Sequence, residues 1–142
     1  EGLGHLLFEN SSGHEINEFG EKGLRNHLDL LIGDAVNKIG NLSPDLTAVN
    51  FGKAKFSNAD TIENTSAALC NCVGEVIATI AYLNALLMGS DKVYFIGRTS
   101  QLSLVVNGIN ERLKLAGVTG VYGENREYAN VIGVLEKIKN LA

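Results

Sequence analysis

The sequence has no tryptophan, one proline and two cysteines in 142 residues. Its lysines and arginines are scattered and the net charge is −4, so no basic patch exists for nucleic acid or an anionic membrane surface. It also lacks low-complexity tracts and internal repeats, which argues against repeat and disordered proteins. With 45% hydrophobic residues, the chain can bury a real core. We therefore predict one domain over residues 1–142, with neither nucleic acid nor membrane as a partner.

Common catalytic and metal-binding motifs are also missing. There is no Walker loop, no GxGxxG, no GxSxG and no HExxH. Cys70 and Cys72 are two positions apart on a predicted helix, so they point in nearly opposite directions and cannot form an ordinary disulfide or metal pair. The sequence therefore offers no catalytic or metal-binding residue. Free, buried cysteines fit a reducing compartment, and we expect a cytoplasmic protein.

The stretch from Thr61 to Met88 predicts one long central helix. Asp60 with Glu63 forms a potential capping box, and Gly89 is the expected stop. Large apolar residues recur at helical steps, at Ile62, Leu69, Val73, Val76, Ile77, Ile80, Leu83 and Leu87. Because polar residues interrupt this run, we expect it to be too short and too polar to cross a membrane.

The same helix carries a second stripe of small residues, namely Ala67, Cys70, Gly74, Ala78, Ala81 and Ala85. Small side chains let another backbone approach closely. The neighbour is either another helix of this chain or the same helix of a second copy, related by a two-fold axis. Both remain open on periodicity alone, and we predict a homodimer through the helix Thr61–Met88.

The rest of the chain alternates between helices and strands. Leu28–Val36 is ambiguous between the two, and Leu46–Gly52 reads as a short extended segment. After the long helix come a buried strand at Lys92–Ile96, a helix at Gln101–Ala116, a strand at Val118–Tyr122 and a last helix at Tyr128–Leu141, with Val131, Ile132, Leu135 and Ile138 inward. This order predicts an α/β fold whose strands are parallel and connected by right-handed crossovers.

Two loops follow the strands of this predicted sheet, Gly97–Ser100 and Gly123–Tyr128. Ligands of open α/β sheets bind beyond the carboxyl ends of the strands, so these loops are the candidate site. The amide groups that begin the following helix can face an anion or a ribose hydroxyl. A strand–glycine–helix junction is, however, most often only a tight turn.

Several segments together resemble the type II pantothenate kinases, over nearly the whole chain. In family order they are Gly2-Leu3-Gly4, Gly23 with Arg25-Asn26 and Asp29-Leu30, Asp45-Leu46-Thr47-Ala48 with Asn50-Phe51-Gly52, Val73-Gly74-Glu75-Val76, Val93-Tyr94-Phe95-Ile96-Gly97, and Glu124-Asn125 with Tyr128 and Ile132-Gly133. The stretch similar to DLTAxNFG is the most specific of them. The resemblance implies the C-terminal lobe of an actin/hexokinase-like ATPase fold (ribonuclease H-like), a mixed sheet flanked by helices with one long central helix.

By resemblance, the activity is transfer of the ATP γ-phosphoryl group to pantothenate, the first step of coenzyme A biosynthesis, with ATP and Mg²⁺ as cofactors. The resemblance assigns nucleotide binding to Gly97, Arg98, Thr99, Asn50 and Gly52, and pantothenate binding to Tyr128 and Arg25. The family's phosphate-binding loop and catalytic glutamate precede the matched region, and the sequence begins at Glu1 without methionine. We therefore expect the C-terminal part of a longer enzyme, inactive by itself and holding little of the Mg²⁺ site.

Three departures from the family pattern leave an alternative function open. Arg98 replaces a small serine, Asn130 and Val131 replace Gly and Ala, and Leu24 replaces an acidic residue. Added bulk narrows a nucleotide cleft, whereas an arginine can reach a phosphate or stack on adenine. The alternative is a non-catalytic module of the same fold that binds nucleotide or ligand and dimerises.

Overall fold

The chain is organised around α4, the helix Ile62–Leu87, in a computed structural model that describes residues 1–9, 12–36, 40 and 42–141. The other helices are α1 (Gly2–Phe8), α2 (Gly13–Gly20), α3 (Ile32–Ala35), α5 (Ser103–Leu115) and α6 (Ala129–Lys139). The strands are β1 (Leu30–Leu31), β2 (Thr47–Val49), β3 (Lys92–Tyr94) and β4 (Thr119–Val121). Short 3₁₀ turns occupy Arg25–His27, Arg98–Gln101 and Arg126–Tyr128.

The ends of α4 follow from local chemistry. The hydroxyl of Thr61 accepts a hydrogen bond from the amide of Asn64 at 3.2 Å, so Thr61 caps the helix, one residue later than the predicted Asp60. At the other end Gly89 adopts φ +65°, a left-handed conformation that glycine adopts without a steric penalty, and the amide of Ser90 closes on the carbonyl of Ala85 at 2.9 Å. The predicted glycine stop is confirmed.

The small-residue stripe of α4 packs against α5 of the same chain. A Cβ atom at Gly74 would lie 2.5 Å from the carbonyl oxygen of Val105 and 3.1 Å from the Cα of Gly108. Ala67, Cys70, Gly74, Ala78 and Ala85 are all buried here. The intrachain alternative is therefore confirmed, and the expectation that this stripe forms a dimer interface is wrong.

The C-terminal part of the large apolar stripe of α4 lies on the outside, whereas Leu69 of the same stripe is buried in the core. Val76, Ile80, Leu83 and Leu87 are 50–84% exposed. With 26 residues and a mean hydropathy of 1.5 over its most apolar stretch, α4 is long and apolar enough to span a membrane, so the contrary expectation from its sequence is wrong. Half of that stretch is buried within the chain, as in the core helix of a globular domain.

The strands form two small sheets. β1 pairs antiparallel with β2, and β3 pairs parallel with β4 through the α5 crossover, in the register Lys92 with Thr119. In the described part of the chain these are separate two-stranded sheets, so the expected single mixed sheet is not found, although the parallel pair is confirmed. The ambiguous segment Leu28–Val36 contains both kinds of element, because β1 runs directly into α3.

The β3 region is buried on one face only. Phe95 packs into the core and stacks on Tyr122 at 5.4 Å between ring centroids. Tyr94 and Ile96, on the opposite face, are 72% and 54% exposed. The sequence predicts a strand buried on both faces, which is wrong, since no described helix covers the outer face.

The last helix, α6, is also exposed. It contacts mainly the 3₁₀ turn that precedes it, and none of its described residues is buried. The predicted inward residues Val131, Ile132, Leu135 and Ile138 are 42–60% exposed, which corrects that expectation. The apolar face of α6 that its amphipathic pattern predicts therefore has no packing partner among the described residues.

The core lies between α4 and α5, where Val105, Ile109 and Leu113 are almost fully buried. Asn17 of α2 orients this pair, because its Oδ1 accepts the amide of Leu104 at 3.0 Å, a donor that the first turn of α5 leaves free. Helices α2, α4 and α5 thus form one packed layer. The ends of β3 and β4 lie beside this layer.

Candidate functional site

A cleft of about 1220 Å³ opens beside the turns that follow β3 and β4. Its floor is largely apolar and is supplied by Leu3, Ile16, Leu69, Cys70, Val73, Leu102 and Val105. Its polar lining residues, which we call the rim, are Arg98, Thr99, Gln101, Glu127 and Tyr128 from the two turns, and Glu1, Ser12 and His14 from the start of the chain. An apolar floor with a few polar groups at its edge is the usual form of a small-molecule site.

The structure brings three of the predicted residues together at this rim, Arg98, Thr99 and Tyr128. Gly97 begins the turn that carries the first two, with φ +90° and ψ 169°, a conformation that few residues other than glycine adopt. Tyr128 is 60% exposed and ends the turn after β4. Both loops selected from the sequence therefore meet at the cleft, as the rule for parallel strands predicts.

Arg98 is a cation at this rim. Its side chain is exposed, and among the described residues no carboxylate lies within salt-bridge distance of its guanidinium and no acceptor lies within hydrogen-bond distance. A guanidinium without a partner keeps all five donors available for a phosphate or a carboxylate. The sequence alone indicates only that an arginine stands at position 98, where the family has a small residue.

The cleft contains no activated thiol. Cys70 lies in its floor, and burial raises the pKa of that thiol to about 11. At neutral pH the thiol stays protonated, and only the thiolate is a strong nucleophile. Cys70 therefore acts as a small apolar residue. Within the described ranges there is also no cluster of three histidine, cysteine or acidic side chains that could hold a metal ion.

Asn50 and Gly52, predicted to bind nucleotide, lie outside the cleft. The side-chain amide of Asn50 donates to Glu75 Oε2 at 2.8 Å. Gly52 packs closely against β1, where a Cβ atom would lie 2.7 Å from that of Leu30. The structure therefore gives both residues packing roles at the end of β2, away from the rim that carries Arg98.

Arg25, predicted to bind pantothenate, is also engaged inside the chain. It donates to Thr47 Oγ1 at 2.8 Å and to the carbonyl of Asp45 at 2.7 Å, and its guanidinium lies 3.6 Å from Asp29 and 3.5 Å from Glu111. It lines a second, smaller cleft of about 330 Å³ together with Asn26, Asp45, Asn71 and Glu111. Arg25 and Tyr128 therefore belong to different clefts.

A buried polar network joins the β1–β2 hairpin to α4, and sequence reasoning missed it. Asp29 is fully buried and accepts hydrogen bonds from the amide of Phe51 at 2.9 Å and from Asn71 Nδ2 at 3.3 Å. Burial raises the pKa of the Asp29 carboxyl above its usual 3.8. Glu75, also buried, pairs with Arg112 at 3.2 Å. The available signal was Asn71 and Glu75 within an otherwise apolar helix.

The geometry of this polar network indicates a structural role. It fixes the left-handed turn at Phe51, whose φ is +56°, against α4, because the Phe51 amide is held by Asp29. Each charged member has an opposite charge or an amide partner, as buried ions require.

Comparison with known proteins identifies the family of the chain. The Fumble family model matches residues 1–108. The type II pantothenate kinase of Oceanobacillus iheyensis is 29% identical over 139 residues, which cover 94% of this chain and 52% of that protein. The type II pantothenate kinase of Staphylococcus aureus (strain USA300) is 30% identical, covering 95% of this chain and 52% of that protein.

A plant protein matches over a smaller region. Pantothenate kinase 2 of Arabidopsis thaliana is 36% identical over 105 residues, which make up 68% of this chain and 12% of that protein. The chain spans about half the length of the bacterial relatives it matches and corresponds to their C-terminal half. Because the family model covers most of its residues, the chain belongs to the Fumble family, that of the type II pantothenate kinases.

Proposed function

We propose that this chain is the nucleotide-side half of a pantothenate kinase-like phosphotransferase, which transfers the γ-phosphoryl group of ATP to pantothenate. The observation that carries the proposal is the guanidinium of Arg98, which has no partner among the residues that the structure describes, at the rim of an apolar cleft. The floor suits the flat face of a purine, and Arg98 with Thr99 suits the phosphates or the ribose. In this arrangement Gly97 lets the turn approach the ligand, and Tyr128, at the same rim, contacts pantothenate.

Phosphoryl transfer needs positioned phosphates, Mg²⁺ and a base that orients the attacking hydroxyl. The described residues of the cleft supply a cation and an apolar floor, but no carboxylate cluster suited to Mg²⁺. We therefore assign no catalytic residue to this chain, and infer that the metal is held mainly by residues equivalent to the other half of the relatives. Alone, the chain binds nucleotide without turning it over.

We further propose that the chain forms a homodimer through the exposed face of α4. Val76, Ile80, Leu83 and Leu87 follow one another at helical steps and lie on the side opposite α5. A stripe of this size, if left in water, exposes apolar surface of the kind found at protein interfaces. We infer a cytoplasmic dimer of the actin/hexokinase-like fold, with neither membrane nor nucleic acid as a partner.

In this proposal no ligand contact is assigned to Asn50, Gly52 or Arg25, which act only as positioning groups. Their hydrogen bonds and close packing orient the β1–β2 hairpin and α4, which supplies part of the cleft floor. The alternative function, a non-catalytic module that binds nucleotide or ligand and dimerises, uses the same cleft. The departures at Arg98, Asn130 and Val131 favour it, since each adds bulk to a position where the family has a small residue.

The proposal is tested by mapping ligand binding with ¹⁵N NMR on this 142-residue chain. ATP is expected to shift the amides of residues 97–101 and 127–128 while those of 24–27 beside the second cleft stay unchanged. Shifts confined to the second cleft, or none at millimolar ATP, would contradict it. Product analysis by mass spectrometry tests the expected inactivity of the chain alone, because phosphopantothenate formed from Mg-ATP and pantothenate would contradict both an incomplete half and a non-catalytic module.

A further inference from the structure

We propose that Arg126 is the positioning residue of the cleft, which locks the two turns after β3 and β4 into one rigid rim. The inference rests on the proposed nucleotide site but assigns a role to a residue outside the motifs that define the resemblance. Arg126 does not line the cleft. Its neighbours Glu127 and Tyr128 do, as do Arg98 and Thr99 across from it.

The contacts of Arg126 span both turns. Its Nε and Nη2 both donate to the carbonyl oxygen of Ser100, each at 3.1 Å, and its Nη1 donates to the carbonyl of Gly123 at 3.3 Å. Its own carbonyl accepts the amide of Gly97 at 2.8 Å. The guanidinium also lies 5.8 Å from the ring centroid of Tyr122, within cation–π range. The side chain of Arg126 therefore ties residues 100, 122 and 123 together, and its backbone carbonyl holds residue 97.

These hydrogen bonds fix backbone positions of the rim that would otherwise be mobile. Arg98 lies between Gly97 and Ser100, whose backbone groups Arg126 fixes, and Gly97 has no side chain to restrain its unusual backbone angles. A second link runs from Gln101 to the carboxylate of Glu127 across the same gap. Charge-assisted hydrogen bonds of this kind are stronger than neutral ones and are directional. Arg98, which has no partner among the described residues, is thereby oriented by its immediate neighbours.

Lysine cannot reproduce this geometry, because its ammonium group lacks the planar fork that grips one carbonyl with two parallel donors. Arg126→Lys is therefore expected to keep the charge and lose the rigid rim. Arg126→Ala loses both. Lys139→Ala on α6 is the matched control, because it removes one positive charge and one ion pair, to Glu136, at a site remote from the rim.

The test combines ATP titration with hydrogen exchange of the backbone amides in the wild type and the three variants. For Arg126→Ala and Arg126→Lys we expect an ATP affinity about tenfold weaker or more, the net worth of a charged hydrogen bond. The amides of residues 97–101 should exchange faster, while those of α4 and α5 keep their protection. Lys139→Ala is expected to bind ATP like the wild type, and millimolar guanidinium, far below denaturing concentrations, is expected to restore affinity to Arg126→Ala and to leave Lys139→Ala unchanged.

The outcomes separate this inference from the proposed function. If the wild type binds ATP and Arg126→Ala binds equally well with unchanged exchange at 97–101, the positioning role is refuted and the nucleotide site stands. If the wild type does not bind ATP, the nucleotide site is refuted, and exchange at 97–101 alone decides the role of Arg126. Uniformly faster exchange in both Arg126 variants without rescue by guanidinium means a general structural role, which also refutes positioning.

Discussion

Gly74 and Val105 bring α4 and α5 into backbone contact, since a Cβ atom on the glycine would lie 2.5 Å from the valine carbonyl oxygen. Gly74→Leu is therefore expected to destabilise the fold by about 3 kcal/mol, the upper end of the usual cost of overpacking, because backbone atoms cannot move aside as a flexible side chain does. Urea unfolding followed by circular dichroism measures the change.

Gly133→Ala is the matched control for that substitution. Gly133 lies within α6 and a Cβ atom there would meet nothing within 4 Å, so alanine should be neutral or stabilise the helix by up to about 1 kcal/mol. Wild-type stability in Gly74→Leu would mean that α4 and α5 can separate, and the intrachain packing described here would be wrong.

The exposed face of α4 is tested separately from its buried face. Ile80→Asp places a charge in the middle of the proposed interface, where Ile80 is 60% exposed in the single chain. The dissociation constant of the dimer is expected to rise at least about tenfold, since an unpaired charge would be buried on association. Sedimentation velocity reports the change, and the melting temperature of the diluted monomer should stay constant.

Phe56→Asp controls for the loss of an exposed apolar residue, because Phe56 is 82% exposed and lies outside α4. It should leave the oligomeric state unchanged. A wild type that is monomeric at high concentration, or an Ile80→Asp variant as dimeric as the wild type, rules out this face as the interface.

Asp29 gives the fold a defined pH dependence. Burial raises the pKa of this carboxyl above 3.8, so the folded chain holds the proton more tightly than the unfolded chain. Its stabilising contribution is therefore complete below about pH 3.8 and is lost as the pH rises through the raised pKa. Asp29→Asn cannot ionise, so the free energy of unfolding of the wild type minus that of the variant should fall across this window.

Paired urea titrations at several pH values from 3.5 upwards measure this difference, and subtraction removes the titration of groups common to both proteins. A difference that is constant with pH means that the contacts with Arg25, Asn71 and the Phe51 amide balance burial and leave the pKa of Asp29 unshifted. A difference that increases with pH means that these contacts outweigh burial and lower that pKa.

Periodicity and turn chemistry predict most of the elements. The long helix, its glycine stop, the β3–α5–β4 crossover and the two turns at the strand ends all follow from local residue order, because caps and apolar spacing act over a few residues. The candidate cleft also follows, since parallel strands bring their carboxyl ends together. Arg98, Thr99 and Tyr128 are found at one rim for this reason.

What the sequence could not predict depends on contacts between distant segments. Which stripe of α4 faces α5 is decided by the fit of Gly74 against Val105 and Gly108, and spacing alone gives two equivalent stripes. Burial of α6 and of the outer face of β3 was inferred from their apolar residues, yet nothing in the described chain covers them. An apolar pattern identifies a face that needs a partner without naming that partner.

Arg25 and Asn50 show a second limit. The motif resemblance predicts that both residues bind a ligand, but in the structure both hydrogen-bond within the chain. Arg25 donates to Thr47 and Asp45, and Asn50 donates to Glu75. A polar residue in a motif is equally explained by a ligand or by a buried network, and only three-dimensional neighbours distinguish the two.

The central claim is that Arg98 makes the first cleft a nucleotide site. Isothermal titration of ATP into the wild type, Arg98→Ala and Lys114→Ala tests it most directly, the last being a charge-matched control at the exposed end of α5. The account predicts that Arg98→Ala weakens ATP binding about tenfold or more, as expected for loss of a charge-assisted contact, while Lys114→Ala binds like the wild type. Equal dissociation constants for all three proteins would contradict it.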